Sequence, residues 1–163
     1  VNSGAGKTLL TIPAMPDRYA VKVSGGTGET HLNVPAKATV DLQVNIGAGE
    51  TNITFAEGVS AEVKIADGVG ACNITVPGSA AVRLEATTAI GSIKVPDHFV
   101  HVRGGMEFIA TSGAWETPDF ANASRKITIK YNGGVGRHGS RSGISPYRSG
   151  SLPTITAAMK AGT

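Results

Sequence analysis

Residues 40–77 hold two consecutive copies of one pattern of apolar and polar positions, VDLQVNIGAGETNITFAEGVS and AEVKIADGVGACNITVP. In each, apolar residues stand at every second position, a Gly-x-Gly follows, and two more alternating apolar residues lead into a short turn segment. Alternation at period two puts one set of side chains inside and the other outside, which predicts half-buried strands. Aligned on its second glycine, the pattern recurs at Gly6, Gly28, Gly49, Gly70, Gly91 and Gly136, with spacings of 22, 21, 21, 21 and 45. A constant period in this range marks a repeat architecture, because a unit that cannot bury its apolar face alone must stack on its neighbour. The expected fold is all-β: a single-stranded, β-helix-like solenoid with these six structural glycines at equivalent corners.

Read down the repeats, the columns are consistent. Before the glycines stand Tyr19, Val21, Val23; Val40, Leu42, Val44; Ala61, Val63, Ile65; and Val82, Leu84, Ala86. After them come Leu10 and Ile12, Leu32 and Val34, Ile53 and Phe55, Ile74 and Val76. Prolines at 13, 35, 77 and 96 close the second strand, where a missing N–H does least harm. Of the outward residues, direct stacking of the fifth repeat on the fourth sets Lys64 beside Glu85 and Glu62 beside Arg83. Exposed pairs of this kind contribute about 0.2–1 kcal/mol, so they tune register, while the apolar columns supply the stability.

The period breaks at residues 97–124, which hold Phe99, Phe108, Phe120 and the only tryptophan, Trp115. End repeats must cover an open core, so these aromatics read as a cap near the C-terminal end, with an aromatic binding surface as the alternative. Lys126-Ile127-Thr128-Ile129-Lys130-Tyr131 restarts the repeat and Gly134-Val135-Gly136 forms its corner. The second strand then calls for apolar residues at 140 and 142, where both are serine. The solenoid domain is therefore expected to span 1–136, followed by a disordered basic tail over 137–163. A truncated, fused or frame-shifted reading frame accounts for a loss of pattern in mid-repeat; a basic arm meeting an anionic surface is the competing reading.

Composition changes this picture little. Forty per cent hydrophobic residues, 5% aromatic and 22 glycines suit short strands, tight turns and β-branched interiors. The net charge of +3 resides in the tail, where Arg137, Arg141, Arg148 and Lys160 meet no acidic residue after position 131. The body is close to neutral, which argues against a nucleic-acid partner. Cys72 is the only cysteine, so there is no internal disulfide and no Cys-based zinc site. A cytosolic chain and a disulfide-free surface protein fit equally well. The chain begins at Val1 inside a repeat, without methionine or signal peptide, and reads as an N-terminally truncated piece whose missing part could carry a membrane anchor.

Candidate chemistry is sparse. Gly6-Lys7-Thr8 suggests a phosphate loop, but Val1 stands where that motif needs its first glycine, and Leu10 and Ile12 alternate as in a strand. Cys72 falls in a column with Thr8, Thr30 and Thr51 and reads as a ladder residue. Asn52-Ile53-Thr54, Asn73-Ile74-Thr75 and Asn122-Ala123-Ser124 match the glycosylation pattern, the first two more simply as an amide ladder. Glu29 over Glu50 reads as a solvated rim, and His98 with His101 makes a poor metal site. A glycan-cleaving enzyme needs two converging carboxylates; Asp41, Glu62, Asp67 and Glu85 are read in different columns, with charge partners or turn roles. No catalytic, cofactor-binding or metal-binding residue is assigned.

The repeated apolar-x-apolar-x-apolar…GxG…IxVP units, followed by Phe99…Gly104-Gly105…Asn122…Lys126-Ile127-Thr128-Ile129…Gly133-Gly134-Val135-Gly136, resemble the bacterial toast-rack domains. These are adhesin-like β-solenoids that include the C-terminal domain of LiaF-like cell-wall-active antibiotic response proteins. The resemblance covers about residues 1–136; the tail departs from it. It implies a non-enzymatic interaction or sensory module of an envelope stress-response protein. It further implies a protein partner in the bacterial cell envelope and membrane association only through a segment absent here. A surface adhesin or structural solenoid is the second reading, and a polysaccharide-acting β-helix enzyme the third.

Overall fold

The computed structural model describes residues 1–90, 92–106, 111–135 and 154–158. Among them there are ten strands and no helix. The first four, β1 (Asn2–Thr11), β2 (Tyr19–Val34), β3 (Thr39–Phe55) and β4 (Ser60–Thr75), are long, and each of the last three bends at its Gly-x-Gly into two arms. They stack in parallel with the repeat register, Val21 on Leu42 on Val63 and Leu10 on Leu32 on Ile53 on Ile74. The result is a solenoid of about four turns.

The core fills the space between the arms. Val40, Leu42, Val63 and Ile65 enter from the first arm, and Ile53, Phe55, Ile74 and Val76 from the second, each 0–2% exposed. Thr54 and Thr75 are half-buried and Lys64 is exposed, as the alternation requires. At the corner, Gly6, Gly28, Gly49 and Gly70 lie in one column. Only glycine fits there: Gly49 has φ +137°, and a Cβ on it would lie 1.8 Å from the Gly28 carbonyl oxygen. Gly91 and Gly136 lie outside the described residues.

The order of the later strands departs from the order of the repeats. β5 (Ala81–Ile90) and β6 (Ser92–Lys94) form the fifth coil, and β7 (Val100–Met106) pairs with β8 (Thr111–Glu116) as an antiparallel hairpin. The hairpin lies along the far edge of β5, with Leu84 opposite Trp115. Thr117 pins it: the Val82 N–H donates to Thr117 Oγ1 at 3.0 Å, and the Thr117 N–H donates to the Val82 carbonyl at 2.9 Å. Phe99 is buried and Trp115 packs on the core, so the insertion is built as a cap. Phe108 lies outside the described residues.

With that edge covered, the chain returns to the middle of the stack. β9 (Lys126–Val135) runs between β4 and β5, parallel to both, with Ile129 level with Val63 on one side and Leu84 on the other. The Arg125 guanidinium donates to the Gly58 carbonyl at 2.7 Å and so fixes where β9 enters. The expected charge pairs between the fourth and fifth repeats are therefore not made. Lys64 lies level with Lys130 and Glu62 with Thr128; Lys64 turns to Glu62 at 3.5 Å, and Arg83 to Glu85 and Glu116. Magnitudes explain the outcome. Each lost surface pair contributes up to about 1 kcal/mol, whereas Ile127, Ile129 and Tyr131, now 0–2% exposed, contribute about 1.5–3 kcal/mol each by burial.

The tail also differs from the sequence expectation in part. Residues 137–153 and 159–163 lie outside the described residues, but Thr154–Ala158 forms a strand, β10. It runs antiparallel between the second arm of β4 and β6, pairing Ile155 with Ile74 and Ala157 with both Cys72 and Ile93. It occupies the place beside β4 where a second arm of the sixth repeat would lie.

Candidate interaction surface

The outward positions of the first arms form a charged sheet face. Asp41 and Glu62 are register neighbours in one column, contrary to the reading that separates them. Arg18, from the turn before β2, joins them: its Nε donates to Asp41 Oδ2 at 2.9 Å, and its Nη2 also meets Asp41 and lies 3.8 Å from Glu62. This contact holds the Asp41 carboxyl below the usual carboxylate range. Lys126, Thr128 and Lys130 from β9 complete a groove of about 370 Å³ over this face. Lys126 donates to the Ala121 carbonyl at 3.2 Å and lies over the Phe120 ring, 5.1 Å from its centre. Lys130 forms no ion pair among the described residues.

The second arms carry a polar ladder. Asn73 Nδ2 donates to Asn52 Oδ1 at 2.9 Å and to Glu50 Oε1 at 3.1 Å, and Asn52 Nδ2 also donates to Glu50 at 3.1 Å. One coil earlier, Glu29 is hydrogen-bonded to His31 and lies 3.3 Å from Lys7, which together lower its pKa. Both amides of the first two glycosylation patterns are thus engaged, whereas Asn122 lies exposed in a turn. Lys7 and Thr8 belong to strand β1, which gives the Gly-Lys-Thr triplet the geometry of a ladder.

A third group is hidden. Asp67 continues the interior column of Val63 and Ile65 and is 5% exposed; it is an inside residue and has no turn role. Its two oxygens, with Thr51 Oγ1, Thr88 Oγ1 and the Tyr131 hydroxyl, have no hydrogen-bond partner among the described residues. Burial pushes Asp67 from the ordinary 3.8 to about 6. Burial, with Asp67 nearby, pushes up the Cys72 thiol, and burial, Cys72 and Asp67 push up the Tyr131 phenol. A thiol so raised is a poor nucleophile, in keeping with a ladder residue. His98 packs on Phe99 and His101 on Trp115, with ring centres 4.9 and 5.4 Å apart. Among the described residues no three His, Cys, Asp or Glu side chains are grouped as a metal site would need. Among the described residues there is no helix long and apolar enough to cross a membrane.

These features define the class as an all-β solenoid with a broad polar outer face. In fold the chain is similar to a crystal structure from Clostridium sporogenes ATCC 15579 described as a putative cell adhesion protein. The TM-score is 0.55 at 14% identity, over 83% of this chain and 88% of that one. No protein family matches the chain, and neither does any curated protein. The likeness is one of fold.

Proposed function

We propose that the chain is a non-enzymatic, adhesin-like interaction module of the bacterial cell envelope that meets a protein partner through the outward face of its first arms. The observation that carries this reading is the likeness in fold to the Clostridium sporogenes protein described as a putative cell adhesion protein. Fold alone assigns no activity, so the likeness supports the class and the chemistry of the face supports the site. In the groove, Arg18 already holds Asp41 and reaches Glu62, while Lys130 makes no ion pair among the described residues. The available charge is positive and suits acidic side chains on a partner. Asp41 is held by Arg18 with its carboxyl below the usual range, the reverse of what a general acid requires. The stress-sensing role implied by the toast-rack resemblance is a narrower form of this reading, with an envelope protein as the partner and support only from the repeat pattern.

The test is binding of the purified chain to bacterial envelope fractions before and after protease treatment, beside a Lys126→Glu/Lys130→Glu variant of unchanged melting temperature. The reading expects protease-sensitive binding that the variant loses. Undiminished binding by the variant, or none by the parent, overturns it.

A further inference from the structure

Elsewhere in the solenoid the second arm of a coil is made by the residues that follow its own corner, and it runs parallel to its neighbours. Leu32 lies on Ile53, and Ile53 on Ile74, in this way. After β9 the rule is broken. Residues 71–75 pair instead with β10, which arrives from a distant part of the chain and runs in the opposite direction. On its other side β10 pairs Thr156 with Lys94, Ala157 with Ile93 and Ala158 with Ser92. Between β4 and β6 there is thus a slot one strand wide, with ladder groups on both walls. Such a slot takes its occupant mainly through main-chain hydrogen bonds.

The chain between β9 and β10 is much longer than this closure needs. Crossing one five-residue arm takes about 17 Å at roughly 3.3 Å per residue. Eighteen residues, 136–153, separate Val135 from Thr154, and a chain of that length can span up to about 60 Å. A connection of that length reaches the chain's own slot and equally that of an adjoining copy, where the same strand satisfies the same ladder, so concentration decides between the two.

We propose that the slot between β4 and β6 is a strand-acceptor site, and that a second copy of this chain can fill it with its own Thr154–Ala158, joining the copies by reciprocal exchange. The occupant is fixed by sequence and register, because the strand that matches the slot is one that every copy carries. Exchange of an identical element is a low-cost route to association when the connection permits it.

The single native cysteine supplies the test. Cys72 lies directly across from Ala157. Opposed residues of an antiparallel pair have Cα atoms about 4.5–5.5 Å apart, within the roughly 4.4–6.8 Å that a disulfide spans. An Ala157→Cys chain, prepared as a mixture of isotopically heavy and light protein, is warmed, recooled at several concentrations and oxidised. The cross-link from Cys72 to position 157 is then mapped by mass. The proposal expects heavy–light cross-links whose ratio to intrachain ones rises about tenfold per tenfold concentration until exchange dominates, as mass action requires. Cross-links that stay intrachain at every concentration overturn it, and so does the absence of any link between these positions. Should the variant not fold, sedimentation of the unmodified chain decides. The proposal expects concentration-dependent dimers that Thr156→Pro abolishes by removing a ladder donor; a parent that is monomeric throughout contradicts it.

Discussion

Phe55 and Lys64 show how far a single position is determined by its parity in the repeat. Phe55 is 0% exposed between the arms, whereas Lys64 faces outward in an ion pair with Glu62. Phe55→Ala should cost about 3–5 kcal/mol in a denaturant series, and Lys64→Ala less than about 1 kcal/mol. Equal costs would mean that inside and outside are misassigned. Asp67 belongs to the same parity as Val63 and Ile65 but carries a carboxyl into the interior. Its folded pKa of about 6 lies above the ordinary 3.8. The folded state therefore binds the proton more tightly, and this stability is fully present below about pH 3.8 and lost as pH rises through about 6. The loss is at most about 3 kcal/mol, from about 1.36 kcal/mol per pH unit. Urea midpoints measured across this window should fall with rising pH in the parent relative to Asp67→Asn, and curves that stay parallel would contradict the assignment. Parity alone was enough to place Asp67 inside. Its place directly before the Gly-x-Gly corner is what gives it the pattern of a turn residue in the sequence.

Elements were legible in the sequence where their signal is local and repeated. The strands over residues 19–34, 39–55 and 60–75 follow from alternation and the glycine spacing, and their register is that of the repeat. Strand order was less legible. The Lys126–Tyr131 stretch carries the same alternating pattern as its neighbours, so it fits equally well after the fifth coil or before it, and no side chain within it distinguishes the two places. What decides is the hairpin of β7 and β8, which occupies the far edge of β5. β10 is barely legible, since Ile155 is the one large apolar side chain among its five residues and a single such position carries no periodicity. Polar groups at the candidate surface were found as outward residues, but their grouping around Arg18 was not, because Arg18 lies in a turn outside the columns. The placement of β9 has a measurable consequence. As an interior strand, with pairing partners on both sides, it should show amide exchange at Ile127, Ile129 and Tyr131 as slow as at Val63. Amides of β7, paired on one side among the described residues, should exchange much faster. Exchange in β9 as fast as in β7 would place it at an edge.

For the whole molecule, the strand order is β1-β2-β3-β4-β9-β5-β8-β7, with β10 closing the second arm between β4 and β6. This order does two things at once. It seals the apolar interior at the cap end with Phe99 and Trp115, and it carries Lys126 and Lys130 to the middle of the stack, beside Arg18, Asp41 and Glu62. The candidate surface exists only because β9 lies inside the solenoid. With the fifth coil directly on the fourth, Arg83 and Glu85 would occupy that place and Lys130 would be lost from the groove. The intercalated strand is therefore the central feature of both the architecture and the proposed interaction. Cross-strand nuclear Overhauser contacts test it most directly. The structure predicts contacts linking the backbone at Val63 with that at Ile129, and at Ile129 with that at Leu84, but none between Val63 and Leu84, which lie two strand spacings apart at about 9.6 Å. A direct Val63–Leu84 contact, with Ile129 linked to neither or to Leu84 alone, would contradict the account.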